Sequence, residues 1–246
     1  MPRVRSIASL TLLALWSSLV AVPARAGSIT VLDQGSSPVV TPQGTNATCT
    51  LEPGPISGLS YVLQQPDAFT AIAWKIPMSS CTACPSPTAL DLKTVSFRVR
   101  WLGACTATAE ISIVGVLPGP NCLLPDPAQL LCGPVSYTIS GAAAGGVIYT
   151  LPAPSGCCVS GDAFVVIRFI GFDQCATTSF APGLTATTLP CVNCDEYYTS
   201  TVGAPSFTDW CSFPSVTSLW LSLDADCCIP TPALRHSWGT VKTRYR

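Results

Sequence analysis

The chain has 246 residues, among them 12 Lys and Arg, 13 Asp and Glu, a single His and 14 Cys. Charged residues make up 10% of it, against roughly 25% in ordinary soluble domains, and hydrophobic residues reach 48%. Such a chain buries enough apolar surface to fold, which excludes intrinsic disorder. Its balanced charge gives no overall positive field for nucleic acid, and 23 prolines and 18 glycines exclude coiled coils and long helices.

Residues 1–26 read as a secretory signal peptide. Arg3 and Arg5 supply the basic start, Leu10 to Val22 the apolar stretch, and Ala24, Arg25 and Ala26 the small-x-small cleavage site. Nothing later predicts a transmembrane helix. Ala163 to Phe172 is too short and holds Arg168, and Ile139 to Leu151 is broken by glycines. Residues 27–228 then form one domain, followed by a Pro linker and basic tail over residues 229–246.

The dominant period in the domain is two. In Val95–Trp101 the odd positions are apolar while Ser96, Arg98 and Arg100 face the other way, and Ala107–Ile113 repeats the pattern. Both predict half-buried antiparallel strands. Further strands are expected at Ile29–Gln34, Leu59–Gln64, Phe69–Ile76, Val135–Ile139, Val147–Leu151 and Val216–Leu223. Ala163–Phe172, apolar on both faces apart from Arg168, predicts a central strand covered on both sides. Proline pairs such as Pro125/Pro127 and Pro152/Pro154 mark loops, turns or edges, and 117–134 reads as a stapled loop. The expected fold is an all-β, disulfide-rich antiparallel β-sandwich of jelly-roll or Greek-key order.

All cysteines lie beyond the cleavage site: Cys49, Cys81, Cys84, Cys105, Cys122, Cys132, Cys157, Cys158, Cys175, Cys191, Cys194, Cys211, Cys227 and Cys228. An even number in an exported chain predicts a disulfide framework of up to seven bridges, of undetermined connectivity. The two Cys-x-x-Cys pairs could hold zinc, but over a hundred residues separate them and ten cysteines would stay unexplained. A redox motif would need a βαβ context. No metal ligand set is therefore assigned. The adjacent pairs Cys157/Cys158 and Cys227/Cys228 should each send their two sulfurs to different partners, because neighbouring strand residues point to opposite faces.

From Gly27 to Cys228 there are five basic and thirteen acidic residues, a formal balance of −8, whereas the last eighteen residues hold four cations and no acid. In this tail Trp238, Val241 and Tyr245 fall on one helical stripe with Lys242, Arg244 and Arg246 beside it, a pattern suited to docking on a partner or an anionic envelope surface. The ending Pro230-Thr231-Pro232, Trp238-Gly239, Lys242, Tyr245-Arg246 resembles that of uncharacterised exported, Cys-rich bacterial proteins. The resemblance covers under a tenth of the chain and implies export or sorting.

Two loop segments attract a binding reading: Asp195, Glu196, Tyr197 and Tyr198 after Cys191 and Cys194, and Asp209 and Trp210 before Cys211. Held by bridges, they would offer aromatic faces beside carboxylates, the combination that binds sugars; the competing and preferred reading makes Trp210 and a tyrosine core aromatics and the acids solvated loop residues. A surface glycan or envelope component is the expected partner. Calcium is a related option through Asp195 and Glu196 or Asp224 and Asp226, although no twelve-residue calcium loop is present. Catalytic devices are harder to assemble. The single histidine, His236, lies in the tail, which removes the base from Ser-His-Asp and Cys-His arrangements, and no GxSxG or phosphate-cradling motif occurs. Asn46-Ala47-Thr48 fits an N-glycosylation acceptor. The sequence thus predicts a secreted or cell-surface, non-catalytic structural or binding protein. The alternative is a carboxylate-pair glycoside hydrolase drawing on Glu52, Glu110, Glu196 and the aspartates.

Overall fold

Alternating apolar and polar residues build strands throughout. The computed structural model describes residues 29–33, 49–64, 69–84, 89–200, 206–213 and 215–228. In chain order the first strands are β1 (Ile29–Asp33), β2 (Cys49–Leu51), β3 (Ile56–Gln64), β4 (Phe69–Lys75) and β5 (Ala89–Trp101). They are followed by β6 (Cys105–Pro118), β7 (Leu123–Gly141), β8 (Gly145–Pro152), β9 (Cys158–Ser160) and β10 (Phe164–Ile170). The last are β11 (Phe180–Pro190), β12 (Glu196–Ser200), β13 (Thr208–Asp209), β14 (Thr217–Leu219) and β15 (Leu221–Cys227). Three short 3-10 turns, at Met78–Ser80, Asp173–Cys175 and Trp210–Ser212, are the helical pieces among the described residues. None of the described helices is long and apolar enough to cross a membrane.

The strands form two antiparallel sheets. The nine-stranded sheet runs β1-β3-β11-β5-β15-β2, with β14 on β11 and both β8 and β9 on β5. The six-stranded sheet runs β13-β12-β4-β10-β6-β7. Between them lies one apolar core. From β5 come Val95, Phe97, Val99 and Trp101, the alternate residues anticipated from the sequence. They meet Ala107, Ala109, Ile111 and Ile113 of β6 and Val165, Ile167 and Phe169 of β10. Aromatic edges lock the layers: Phe97 meets Phe169 at 5.8 Å and Trp101 meets Phe172 at 5.7 Å, both in T-shaped geometry. This is a disulfide-rich all-β sandwich.

β10 sits between β4 and β6, as its two-faced apolarity predicts. Its outward Phe164 and Val166 join a second cluster with Ala71, Ala73, Val114 and Tyr197. The cover comes from the tip of the β6–β7 hairpin, through Val116, Cys122 and Leu124. The stretch 117–134 is therefore not a stapled loop. It is the continuation of two long strands paired as far as Pro118 and Leu123, with register shifts that bend the hairpin over the sheet. Pro125 and Pro127 lie in β7, the edge strand, where a missing N–H leaves no central ladder bond unmade.

All fourteen cysteines pair: Cys49–Cys81, Cys84–Cys227, Cys105–Cys175, Cys122–Cys194, Cys132–Cys157, Cys158–Cys228 and Cys191–Cys211. Both adjacent pairs split between partners as alternation requires. The four sulfurs of the two Cys-x-x-Cys motifs go to four separate bridges. Residues 1–26, Asn46–Thr48 and the tail from 229 lie outside the described residues, as do Trp238, Val241, Lys242, Tyr245 and Arg246.

Candidate functional site

The segment expected as a loop, from Cys191 to Tyr198, ends in strand. Glu196 to Ser200 are β12, which pairs with β4 (Glu196 opposite Trp74, Tyr197 opposite Ala73) and with β13 (Tyr197 opposite Asp209). Pleating then separates the two tyrosines. Tyr197 points to the outer cluster, 1% exposed, its ring edge-on to Phe164 at 5.5 Å and its hydroxyl donating to the Leu123 carbonyl at 2.8 Å. Tyr198 points into the main core against Trp210 and Phe213. Trp210 is fully buried, edge-on to Tyr61 at 5.1 Å, and its indole N–H donates to the Thr217 carbonyl at 3.0 Å. Of the two readings of these rings, the core one holds for Trp210 and extends to both tyrosines, and the aromatic faces are not open to a sugar. These three rings are core, because each buries more apolar area between strands than it could on a loop.

Asp209 also has a structural duty. Its carboxylate accepts from the Cys211 amide at 2.9 Å, capping the 3-10 turn, and from the Cys194 amide at 3.2 Å. The sulfurs of Cys122 and Cys194 lie near this carboxylate, and those of Cys49, Cys81 and Cys84 lie near one another. Every one of these sulfurs is in a disulfide, which leaves no thiolate to offer a metal. The calcium candidates have other partners. Asp224 accepts hydroxyl hydrogen bonds from Thr50 at 2.7 Å and Thr94 at 2.8 Å, and Asp226 lies 3.4 Å from the Lys93 ammonium.

Asp195 and Glu196 face elsewhere. They line a cleft of about 720 Å³ at the end of the sandwich. Its base is the paired Trp74 and Glu196; its sides are Pro77 and the Met78–Ser80 turn, Glu52 and Pro53, Gly161 and Asp162, and Leu189, Pro190 and Val192. Lys75 reaches Asp162 at 3.2 Å across one side. Three lining segments abut bridged cysteines: Ser80 precedes Cys81, Val192 follows Cys191 and Asp195 follows Cys194. The rim is covalently braced in the folded state.

Glu196 is the unusual group here. It is 3% exposed, and its Oε2 accepts from the Leu219 amide at 2.8 Å, tying β12 to β14. Burial raises its pKa to about 8. The Leu219 amide and Ser218 hydroxyl oppose the rise, and the charges of Asp195 and Asp209 add to it. Burial also raises Asp195, against the pull of Lys75. At neutral pH the base of the cleft thus carries a mostly protonated carboxylic acid, able to donate as well as accept, beside apolar Trp74, Met78 and Leu189.

Of the cleft residues, sequence reasoning singled out Asp195 and Glu196 as ligands, and Glu52 only as a spare carboxylate. Trp74, Met78 and Asp162 carry no local pattern that marks them, since the cleft gathers segments more than a hundred residues apart. The other hydrolase candidate, Glu110, stands opposite Arg168 on the outer face of the six-stranded sheet and pairs with it at 3.7 Å.

No family model matches the chain, and no curated protein matches it. Similar solved structures include two of one clostridial protein. One is the cysteine protease and lectin-like domains of Cwp84, a surface layer associated protein of Clostridium difficile. It is 11% identical over 68% of this chain and 34% of that one, with a TM-score of 0.45. The other is the clostridial cysteine protease Cwp84 after propeptide cleavage, 9% identical over 81% of this chain and 40% of that one, with a TM-score of 0.42. The chain spans about a third to two-fifths of the length of the structures it matches.

Proposed function

We propose that this is an exported, secreted or cell-surface binding protein whose disulfide-braced cleft holds a sugar or a similar polyhydroxylated ligand without catalysing a reaction. The observation that carries the reading is the cleft itself: apolar Met78, Leu189 and Val192 beside hydroxyls and carboxyl groups, on a rim that three bridges hold in shape. Apolar sugar faces pack on such surfaces while their hydroxyls find donors and acceptors, and a braced rim loses little entropy on binding. Full pairing of fourteen cysteines supports an oxidising compartment, since cytosolic thiols are kept reduced.

A glycan array probed with the natively produced protein tests this. Binding is expected for the parent, with loss in Leu189→Ala and in Met78→Ala. An array with no hit, or hits that survive both changes, overturns the reading. Intact mass before and after reduction and alkylation checks the compartment, with all fourteen cysteines alkylated only after reduction.

One observation favours a second reading, a carboxylate-pair glycoside hydrolase. Glu196, whose pKa burial raises to about 8, shares the cleft with Glu52, Asp162 and Asp195, and a pair of carboxyl groups in one cleft is what glycoside cleavage needs. Release of reducing ends by the parent and its loss in Glu196→Gln would decide for the enzyme.

A further inference from the structure

The basic tail leaves the domain beside the cleft. The Cys228 amide donates to the Ala89 carbonyl at 3.0 Å, carrying the β15–β5 ladder one residue further. Its sulfur is bridged to Cys158, three residues before Gly161, and Cys227 is bridged to Cys84, four residues after Ser80. Gly161 and Ser80 both line the cleft. The Cα atoms of Cys158 and Cys228 are 5.8 Å apart, and three residues of chain add little, so Cys228 lies within about 17 Å of Gly161. Trp238 follows ten residues later, a reach of up to about 33 Å. The exit is pinned, and the cleft is well within reach.

The cleft complements that segment in charge and in apolar surface. Besides the buried Glu196, its lining sets Glu52, Asp162 and Asp195 against one cation, Lys75, which Asp162 already holds. Among the described residues no cation comes within ion-pair distance of Glu52 or Asp195. The lining also includes Leu189 and Val192, large apolar side chains left 44% and 55% exposed. Residues 234–246 supply Arg235, Lys242, Arg244 and Arg246 without an acid, and Trp238, Val241 and Tyr245 between them. The acids of β5 and β15 are otherwise engaged: Asp91 and Asp226 with Lys93, Asp224 with the hydroxyls of Thr50 and Thr94. Tethering at a fixed exit gives the tail an effective concentration on the order of millimolar, so individually weak contacts suffice. We propose that residues 234–246 dock in the cleft of their own molecule, with cations on Glu52 and Asp195 and aromatic side chains on Leu189 and Val192. A ligand entering the cleft then has to displace the tail. That consequence rests on the binding reading above; the docking itself needs no sugar.

Carbodiimide cross-linking of the full chain, followed by reduction, digestion and mass spectrometry, tests the docking. Lys75–Asp162 and Lys93–Asp91 are internal standards, since each ammonium already touches its carboxylate. Lys242 is expected to be joined to Glu52, Asp162 or Asp195. The link should stay within one molecule when isotope-labelled and unlabelled protein are mixed. Trp238→Ala with Tyr245→Ala should lower its yield several-fold. In Glu52→Gln/Asp195→Asn, which keeps the side-chain shapes, tryptic cleavage after Lys242 should start about fivefold faster, the loss of two exposed ion pairs. Lys242 left unlinked while both standards form, its linkage to an acid outside the cleft, or linkage only between molecules overturns the proposal. An unchanged cleavage rate in the acid variant does so too. A glycan array without hits would overturn the sugar reading and not this one, and Lys242 linked elsewhere would do the reverse.

Discussion

The two ends of the sandwich are held by different means. At the β5–β6 turn the strands are long, and Phe97, Trp101, Phe169 and Phe172 interlock across the layers with one bridge, Cys105–Cys175, nearby. At the cleft end the elements are short: β2, β9, β13, β14 and two 3-10 turns. There the bridges Cys49–Cys81, Cys84–Cys227, Cys122–Cys194, Cys158–Cys228 and Cys191–Cys211 crowd together. Short strands bury too little to offset their ordering entropy, and crosslinks shift that balance by restricting the unfolded chain. Packing and sulfur are alternative answers to one problem, distributed along the molecule by strand length.

The sharpest way to break this comparison is to cut one kind of support at a time. Cys84–Cys227 joins residues 143 apart, but with the other bridges intact Cys105–Cys175 and Cys158–Cys228 shorten the path it closes, and chain entropy then assigns it about 4 kcal/mol. Cys191–Cys211 closes 20 residues, worth about 3 kcal/mol. Replacing both cysteines by Ser should therefore cost more at 84/227 than at 191/211, read by denaturant unfolding. The opposite order would show that local bracing outweighs loop closure. At the other end, Phe169→Ala should cost about 4 kcal/mol through the cavity it leaves under Phe97 and Phe172, a loss that reductant does not reproduce.

The cleft end also carries the pH-sensitive group. Folding raises Glu196 to about 8 from the ordinary carboxylate range, so the folded protein holds a proton that the unfolded chain has released. Its contribution is fully present below pH 4, declines as pH rises through 8 and is absent above. Thermal midpoints should fall across that window in the parent and much less in Glu196→Gln, whose amide oxygen still accepts from Leu219. Parallel curves would sink the assignment. Smaller effects complete the series. Tyr61→Phe loses the hydroxyl that accepts from the Thr217 amide and shares a hydrogen bond with the Thr217 hydroxyl, a cost of about 1 kcal/mol by urea unfolding. Arg168→Ala, at an exposed ion pair, should change stability by less than about 0.5 kcal/mol.

How much of this was legible follows from the same contrast. β5 and β6 were readable because one side of each meets the core at every second residue, and β10 because both of its faces are apolar and covered; both signals are local. β11 was not. It was not among the expected strands, because Pro182 and Gly183 interrupt it ahead of three threonines, yet Gly183 is needed there, since a Cβ would lie 1.8 Å from the Tyr61 carbonyl oxygen. The buried Thr185 is satisfied across the sheet by Ser60 at 3.2 Å. At the candidate site the residue types drew attention to the right segment, and orientation was lost. Tyr197 and Tyr198 look equivalent in sequence, but a strand sends them to opposite layers. The cleft needed long-range pairing that no local pattern encodes, as did the disulfide map.

The adjacent cysteines have one further consequence. Through Cys157/Cys158 and Cys227/Cys228 the bridges join end to end, running from Cys132 to Cys157, from Cys158 to Cys228 and from Cys227 to Cys84. A protease that nicks the backbone between Cys132 and Cys157, or anywhere from Cys158 to Cys227, severs the polypeptide without freeing a fragment. A clipped molecule would hold together as one piece and come apart only on meeting a reductant.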